Sequence, residues 1–252
     1  SDKFKVSGRG ELHLSILVEN MRREGYELAI SRPEVILREV DGVVHEPWET
    51  LTVDVESVDQ GRVMERLGER RAELRDIVPD SNGRVRLDYT VPSRGLIGFR
   101  SEFMTITRGL GLMYHTFQRY ADRAQAKIGE RANGVLVSIA AGKSLAYALF
   151  NLQARGRLFI GPSEQVYEGM VIGIHSRSGD LVVNPLKAKQ LTNIRAAGSD
   201  ENIVLTPPLK LTLETAIEFI NDDELVEVTP AAIRVRKKLL REHERKRAAR
   251  AA

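Results

Sequence analysis

The chain has 252 residues, of which 42% are hydrophobic and 29% are charged. These values are typical of a globular protein with room for two or three small domains. Cysteine is absent, which excludes disulfides and cysteine-based zinc sites and fits a reducing cytoplasm. The sequence contains neither an apolar run as long as a membrane helix nor a secretory leader pattern, so we expect a cytoplasmic protein that does not enter a membrane.

The net charge of +3 is unevenly distributed along the chain. Residues 233–250 contain nine lysines and arginines but only two glutamates, so the rest of the chain is acidic on balance. A basic segment on an acidic body is typical of a contact with a polyanion. A solvated terminal helix that keeps the protein soluble explains the charge equally well, and composition does not separate the two interpretations.

A short pattern occurs twice, as VSGRG at residues 6–10 and as VPSRG at residues 91–95. Each copy is a small-residue turn with Arg-Gly that leads into an amphipathic helical run. The first copy lies between a predicted strand at 4–6 and an extended stretch at 26–39 that is broken at Pro33. Because three or more strands are normally needed for a stable sheet, we expect this segment to belong to a domain whose first half precedes the chain.

Residues 46–122 contain a complete set of elements in the order βαββαβ. An alternating strand at 51–55 is followed by a helix at 61–71 and by a hairpin around the turn DSNG at 80–83. A second helix and a strand at 112–120 complete the set. This order predicts a split-βαβ, ferredoxin-like module.

The residues from about 123 onward are less regular, and we predict a mixed, strand-rich domain. A buried-type strand at 134–139 precedes a helix that ends near Gly156, and several short strands follow. Residues 184–202 are polar without apolar periodicity, and loops of this length are uncommon and often functional. The later predicted elements are a helix capped by Thr212, strands near 225–227 and 233–235, and a terminal helix from about Lys237.

Several motifs that resemble ligand sites are better explained by local structure. The AGKS sequence at 141–144 follows Val137, where a phosphate-binding loop needs glycine, so we expect a strand-to-helix turn. The DSNG sequence is a hairpin turn rather than a nucleotide switch. The five histidines lack metal-ligand spacing, and the acidic run at 222–224 is expected to begin a solvated turn. We therefore predict neither a catalytic site nor a metal site.

The residues alone are also compatible with two other functions, an enzyme and a protein-interaction module. Arg94 and Arg100 flank a strand-to-helix turn, where arginine and backbone N–H groups can hold a phosphate. This placement suits a phosphate-ester or acyl-phosphate enzyme, and the simpler interpretation is that both arginines pair with acidic side chains. The second alternative is a protein-interaction module in which the basic tail binds an acidic partner.

The polar stretch at 184–202 alternates cations with amides. Lys187, Lys189 and Arg195 supply positive charge, whereas Gln190 and Asn193 supply hydrogen-bonding groups. This mixture suits an RNA backbone with some sugar and base contacts. Composition alone slightly favours an ordinary solvated loop.

Three sets of sequences resemble translational GTPases of the elongation factor G type. The sequences VSGRGELHL at 6–14, NMRREG at 20–25 and SRPEV at 31–35 resemble the third domain of these proteins, and residues 46–122 resemble the fifth domain. More specifically, the sequences YEG at 167–169, IHSR at 174–177, KQLTNIRA at 189–196 and DDELVEVTP at 222–230 are similar to the C-terminal domain of the BipA/TypA family.

The resemblance implies a fold and a domain plan. The fold class is α+β, with a partial and then a complete ferredoxin-like (βαββαβ) module followed by a mixed, strand-rich C-terminal domain. Residues 1–43 correspond to the second half of domain III, residues 44–122 to domain V, and residues 123–252 to the BipA-specific domain with the basic tail.

The resemblance also implies a function. The chain is expected to be the C-terminal part of a translational GTPase that binds the bacterial ribosome and acts in ribosome assembly and in adaptation to stress or cold. GTP and Mg²⁺ belong to the full-length family, and we expect no cofactor and no catalysis in this fragment, which lacks the GTPase motifs. The expected partners are rRNA and A-site tRNA, without membrane or small-molecule substrate, and we expect a monomer.

The RNA contacts implied by the resemblance fall into two groups. The long loop is expected to hold the acceptor end of A-site tRNA through Lys187, Lys189, Asn193 and Arg195. The basic tail is expected to contact rRNA phosphates through Arg236, Lys237, Lys238 and Arg241.

Overall fold

The computed structural model describes residues 3–123, 128, 131, 133–188 and 204–251. The chain forms two compact units. The central unit is Pro33–Glu130, and the flanking unit combines Ser1–Arg32 with Arg131–Ala252.

The elements in chain order are α1 (Glu11–Arg23), β1 (Leu28–Ser31), β2 (Arg38–Val40), β3 (Val43–Glu56), α2 (Gln60–Glu69), β4 (Glu73–Pro79), β5 (Arg84–Pro92), α3 (Ser93–Leu96), α4 (Phe99–Ile106) and β6 (Leu112–Asp122). They continue with β7 (Val135–Ser138), β8 (Gly142–Lys143), α5 (Ala146–Leu152), a short 3-10 turn (Gln153–Arg155), β9 (Gly156–Leu158), β10 (Gln165–Val166), β11 (Met170–His175) and β12 (Leu181–Val183). The last elements are α6 (Leu213–Phe219), β13 (Glu224–Val228), β14 (Ile233–Lys237) and α7 (Glu242–Ala251).

The central unit is built on an antiparallel sheet. Its strands pair in the order β6-β3-β5-β4, and β2 extends the sheet along the first residues of β3. Alternate β3 residues, among them Leu51 and Val53, are fully buried in one cluster with Phe99 and Phe103 of α4. The order of strands and helices confirms the predicted ferredoxin-like module.

The DSNG sequence forms the β4–β5 hairpin turn, as predicted. The Asp80 carboxylate accepts hydrogen bonds from the backbone N–H groups of Asn82 and Arg84. Gly83 has a φ of 78°, a left-handed conformation that glycine adopts without steric cost. Asp80 therefore stabilises the turn.

The flanking unit contains a seven-stranded sheet that joins distant parts of the sequence. Its main order is β1-β13-β14-β11-β7-β12, and β9 also pairs with β11. Strand β1 is antiparallel to β13, with Leu28 opposite Val228. Val18 of α1 lies in the same buried cluster as Ile217 of α6. The N-terminal segment thus completes a sheet made largely of C-terminal residues.

The predicted strand at residues 4–6 is not formed. Residues 3–8 have no regular secondary structure, and Phe4 is 85% exposed. No described strand pairs with this segment, and a strand without a neighbour leaves its backbone groups to water. The alternation of Phe4 and Val6 was too short to specify a partner.

The AGKS sequence lies in the connection between β7 and α5, as predicted, but includes a short strand instead of a simple turn. Gly142 and Lys143 form β8, which pairs with β10. The buried Ser144 hydroxyl donates to the Gly161 carbonyl at 2.7 Å and accepts from the Glu164 backbone N–H at 3.1 Å. Its hydroxyl is therefore used inside the domain and not held toward a phosphate.

The terminal helix begins later than the sequence predicts. Lys237 is the last residue of β14, and its backbone N–H donates to the Gly169 carbonyl. Gly169 has a φ of 86°, and a Cβ there would lie 2.6 Å from Cα of Leu240. This close packing holds residues 238–241 in a non-helical path, so α7 begins at Glu242. The Thr212 cap of α6 is formed as predicted.

Candidate nucleic-acid interface

The structure places the predicted loop residues only in part. Lys187 is exposed and follows a turn in which the Asn184 carboxamide accepts from the Leu186 backbone N–H at 2.9 Å. Lys189, Asn193 and Arg195 lie outside the described residues. Their assignment to RNA contacts remains a prediction.

Lys237 does not have the surroundings of an RNA-contacting residue. Its side chain is only 3% exposed, and Nζ lies 2.6 Å from Asp180, 2.7 Å from Asp223 and 2.9 Å from Glu224. Burial alone would lower the pKa of Lys237, but the Glu224 charge and the three carboxylate contacts raise it above the ordinary value. Lys237 is therefore a buried, charged partner of acidic residues, and we remove it from the expected phosphate contacts.

Glu224 is the fully buried centre of this ion-pair network. Its two carboxylate oxygens accept from the Arg131 guanidinium at 3.1 and 3.0 Å, and Oε2 also accepts from the Asn221 backbone N–H at 2.9 Å. The Arg131 guanidinium carbon lies 4.1 Å from the Phe219 ring centroid. Burial would raise the pKa of Glu224, but Arg131 and Lys237 hold it below its ordinary value.

Acid is expected to weaken the flanking unit through Glu224. Because the folded-state pKa lies below the ordinary value of 4.5, the stabilisation is present above that pH and is lost as pH falls through the folded pKa. The stability difference between the wild-type chain and Glu224→Gln should therefore shrink between about pH 6 and about pH 3 in urea titrations. A constant difference would contradict an ionised, paired Glu224.

Arg236 is partly committed to another contact. Its Nε lies 2.7 Å from Glu227 Oε1, and Nη1 donates to the Lys237 carbonyl at 3.1 Å. Tyr167 donates its hydroxyl proton to the same Glu227 carboxylate, and burial together with that charge raises the pKa of Tyr167. The Arg236 side chain is 20% exposed. It can therefore add to the positive electrostatic potential at the surface more readily than it can bind a phosphate directly.

Within the basic tail, the exposed cations of the described residues follow β14 and are Lys238, Arg241, Lys246, Arg247 and Arg250. Lys238 donates to the Asp222 carbonyl, whereas Lys246 lies 2.6 Å from Glu242 in an i,i+4 pair. The start of α7 is anchored because the Glu242 backbone N–H donates to the Glu168 carboxylate at 3.1 Å. The tail therefore presents charge from an anchored helix.

A cleft beside the base of the long loop was missed by the sequence analysis. It has a volume of about 350 Å³. Its lining consists of Ala148, Asn151, Leu152, Arg155, Leu181, Val183, Asn184 and Lys187. Arg155 gave little signal in the sequence, because a cation at a helix C-terminus is explained by the helix dipole alone.

Arg94 has a structural partner. Its Nε lies 2.5 Å from Oε2 of Glu46, a residue with no exposed surface. Arg100 is exposed at the start of α4. The guanidinium of Arg94 therefore neutralises a buried carboxylate, as the simpler interpretation of this turn expects, and the phosphate-enzyme alternative loses one of its two cations.

The described residues contain no cluster of three or more acidic, histidine or cysteine side chains arranged to hold a metal. None of the helices in this part of the chain combines the length and the apolar character that a bilayer crossing requires.

Two family models match the chain. The model described as the elongation factor G C-terminus matches residues 43–131, which include the ferredoxin-like module. The model described as the TypA/BipA C-terminal domain matches residues 133–242, which include most of the ion-pair network and the cleft.

Curated relatives match the chain along its whole length. The "Large ribosomal subunit assembly factor BipA" of Escherichia coli (strain K12) is 62% identical over 251 residues, which are 100% of this chain and 41% of that protein. The protein of the same name from Haemophilus influenzae is 64% identical over 98% of this chain and 40% of its own length. This chain thus spans about two fifths of the length of these relatives.

A crystal structure of a Thermus thermophilus protein aligns at 22% identity with a TM-score of 0.32, over 33% of this chain and 12% of that one. That likeness supports no conclusion about the chain. The assignment of its domains rests on the family models and the curated relatives. The chain therefore carries the two C-terminal domains that these models describe, the elongation factor G C-terminus and the TypA/BipA C-terminal domain.

Proposed function

We propose that this chain is the ribosome-docking part of a factor that assembles the large ribosomal subunit. The proposal is supported by relatives of that name at 62% and 64% identity. The observation that supports the docking role is the exposed basic tail. It follows strand β14, and the start of helix α7 within it is held by a hydrogen bond to Glu168. Charge presented in this way suits the phosphates of folded RNA.

The proposed rRNA contacts follow from the exposure of the cations, and the proposed tRNA contacts follow from the resemblance to the family. Lys238 and Arg241 contact rRNA phosphates, with Arg236 adding to the positive field from its partly buried position. The loop at 184–202 holds the acceptor end of A-site tRNA through Lys187, Lys189, Asn193 and Arg195. Lys237 takes no part, because its ammonium group is enclosed by carboxylates.

We propose that the full-length protein hydrolyses GTP with Mg²⁺ in a part outside this chain. The residues of this chain do not fit GTP with Mg²⁺. The Ser144 hydroxyl of the AGKS sequence donates to the Gly161 carbonyl, and the described residues hold no metal-binding cluster. The same proposal includes a cytoplasmic, monomeric protein that acts under stress or cold. The proposed domain plan assigns residues 1–43 to the second half of domain III, residues 44–122 to domain V and residues 123–252 to the BipA-specific domain.

Ribosome binding should depend strongly on salt. If the chain neutralises about five phosphates, log K should fall with log salt concentration with a slope of about −3 to −4. Co-sedimentation with 70S ribosomes over a range of salt concentrations measures this slope. Truncation after Leu240 removes most of the basic tail and should make the slope clearly shallower.

The same experiment separates RNA docking from binding to an acidic protein. Purified rRNA should compete with ribosomes for the wild-type chain, and the truncated chain should respond less to that competitor. Salt-insensitive sedimentation, or failure of rRNA to compete, would overturn the proposal.

A further inference from the structure

The lining of the cleft beside the long loop combines cationic, carboxamide and aliphatic side chains. Two exposed cations, Arg155 and Lys187, and two carboxamides, Asn151 and Asn184, stand on its rim, and aliphatic side chains form the remainder. The eight lining residues include no acid. An anion with an attached flat, apolar group is the ligand class that such a lining favours.

The two carboxamides offer complementary groups. The Asn151 amide N–H donates to the Tyr147 carbonyl at 2.8 Å, which leaves its oxygen as an acceptor for a ligand. The Asn184 oxygen accepts from the Leu186 backbone N–H, which leaves its NH₂ group as a donor. The lining of the cleft thus offers both a donor and an acceptor, the two kinds of group that the edge of a nucleobase requires.

The walls of the cleft are held by regular structure. Leu181 and Val183 belong to β12, which pairs in parallel with the buried strand β7. Across the cleft, the Arg155 carbonyl accepts from the Ser176 backbone N–H at 2.8 Å. A volume of about 350 Å³ lies at the low end of ligand pockets, roughly 300–1,000 Å³, and suits one nucleotide rather than a duplex.

The cleft also lies where the long loop leaves and rejoins the domain. Lys187 on its rim lies near the start of the loop. On the return side, Gln153 donates to the Val204 carbonyl at 3.1 Å and accepts from the Thr206 backbone N–H at 3.0 Å. The cleft therefore adjoins both described ends of the loop.

We propose that this cleft binds one unpaired nucleotide, with the base between Asn151 and Asn184 and the phosphate at Arg155 and Lys187. The inference rests on the proposed RNA-docking function. The nucleotide belongs to an RNA strand, and a free mononucleotide has the same chemistry, so the test distinguishes these two sources.

The test measures binding of a labelled single-stranded RNA of about twelve nucleotides to the full chain by fluorescence anisotropy. Arg155→Gln should weaken binding about threefold to tenfold and make the salt slope shallower by about 0.7. Arg157→Gln is the matched control, because Arg157 is exposed two residues away and does not line the cleft. It should bind as the wild-type chain does.

The base is tested separately with an abasic oligomer of the same length. The wild-type chain should prefer the RNA, whereas Asn151→Leu, which removes the carboxamide without changing charge, should weaken that preference. Equal effects of Arg155→Gln and Arg157→Gln, or an unchanged preference in Asn151→Leu, would overturn the inference.

Two further arms separate the cleft from the wider proposal. A tail variant, Arg241→Gln with Arg247→Gln, should weaken ribosome binding even if the cleft variants have no effect, so that result removes the inference and leaves the proposed function. If adenosine monophosphate saturates the cleft while the RNA oligomer does not compete with it, the site belongs to free nucleotides and the RNA assignment is wrong.

Discussion

Lys237→Met is expected to lower the free energy of unfolding of the flanking unit by about 3 kcal/mol, because removal of one partner disrupts a buried ion network. The substitution leaves Asp180, Asp223 and Glu224 around an apolar side chain, and Arg131 alone then neutralises Glu224. Hydrogen exchange of β13 and β14 amides measures the loss within this unit.

Lys238→Met is the matched control for this prediction. Lys238 is the next residue and is exposed, so its substitution should change stability by less than about 0.5 kcal/mol. Ribosome binding should respond to the other residue of this pair. Lys238→Met should make the slope of log K against log salt concentration shallower by about 0.7 to 0.9, and Lys237→Met should leave it unchanged. If Lys237→Met changes the slope while stability is kept, Lys237 is a surface contact after all.

Arg94→Met is expected to destabilise the central unit by about 3 kcal/mol, because Glu46 is fully buried and its carboxylate would lose the Arg94 guanidinium. Trp48 is the single tryptophan of the chain and lies on β3, so its fluorescence reports unfolding of this unit. Arg100→Met, at an exposed position in the same segment, should cost less than about 0.5 kcal/mol.

A double-mutant cycle gives the sharper test of the Arg94 prediction. Glu46→Leu combined with Arg94→Met should be more stable than Arg94→Met alone, since the double variant buries no carboxylate. Equal stability of these two chains would show that the buried ion pair is not the source of the loss. The same result would reopen a role for Arg94 in binding an anion.

The ferredoxin-like module could be predicted because its signals are local. Alternating strands, a DSNG turn and a helix with regularly spaced apolar residues all lie within about eighty residues and agree with one another. The pairing of β1 with β13 has no such signal. Leu28 and Val228 are far apart in sequence, and nothing in either strand specifies the other.

The sequence shows the cations near the C-terminus but not the surroundings of each one. Lys237 is buried on the same face of β14 as Val235, two residues before it, but the sequence predicted a helix from about Lys237 and so missed this placement. The charge count treated Lys237 and Lys238 alike, and only the pairing with Asp180 and Glu224 separates them. Arg155 and Lys187 both line the cleft, although several strands separate them in the sequence. The spacing of apolar residues carries no information about this proximity.

The position of β1 has a consequence for the order of folding during synthesis. Its partner β13 follows it by about 200 residues, so β1 leaves the ribosome long before it can pair. The central unit, Pro33–Glu130, is synthesised within that interval and can fold first. Until β13 arrives, the apolar side chains of Leu28 and Ile30 lack their neighbours in the sheet. The segment that contains β1 is therefore expected to need protection from aggregation until β13 has been made.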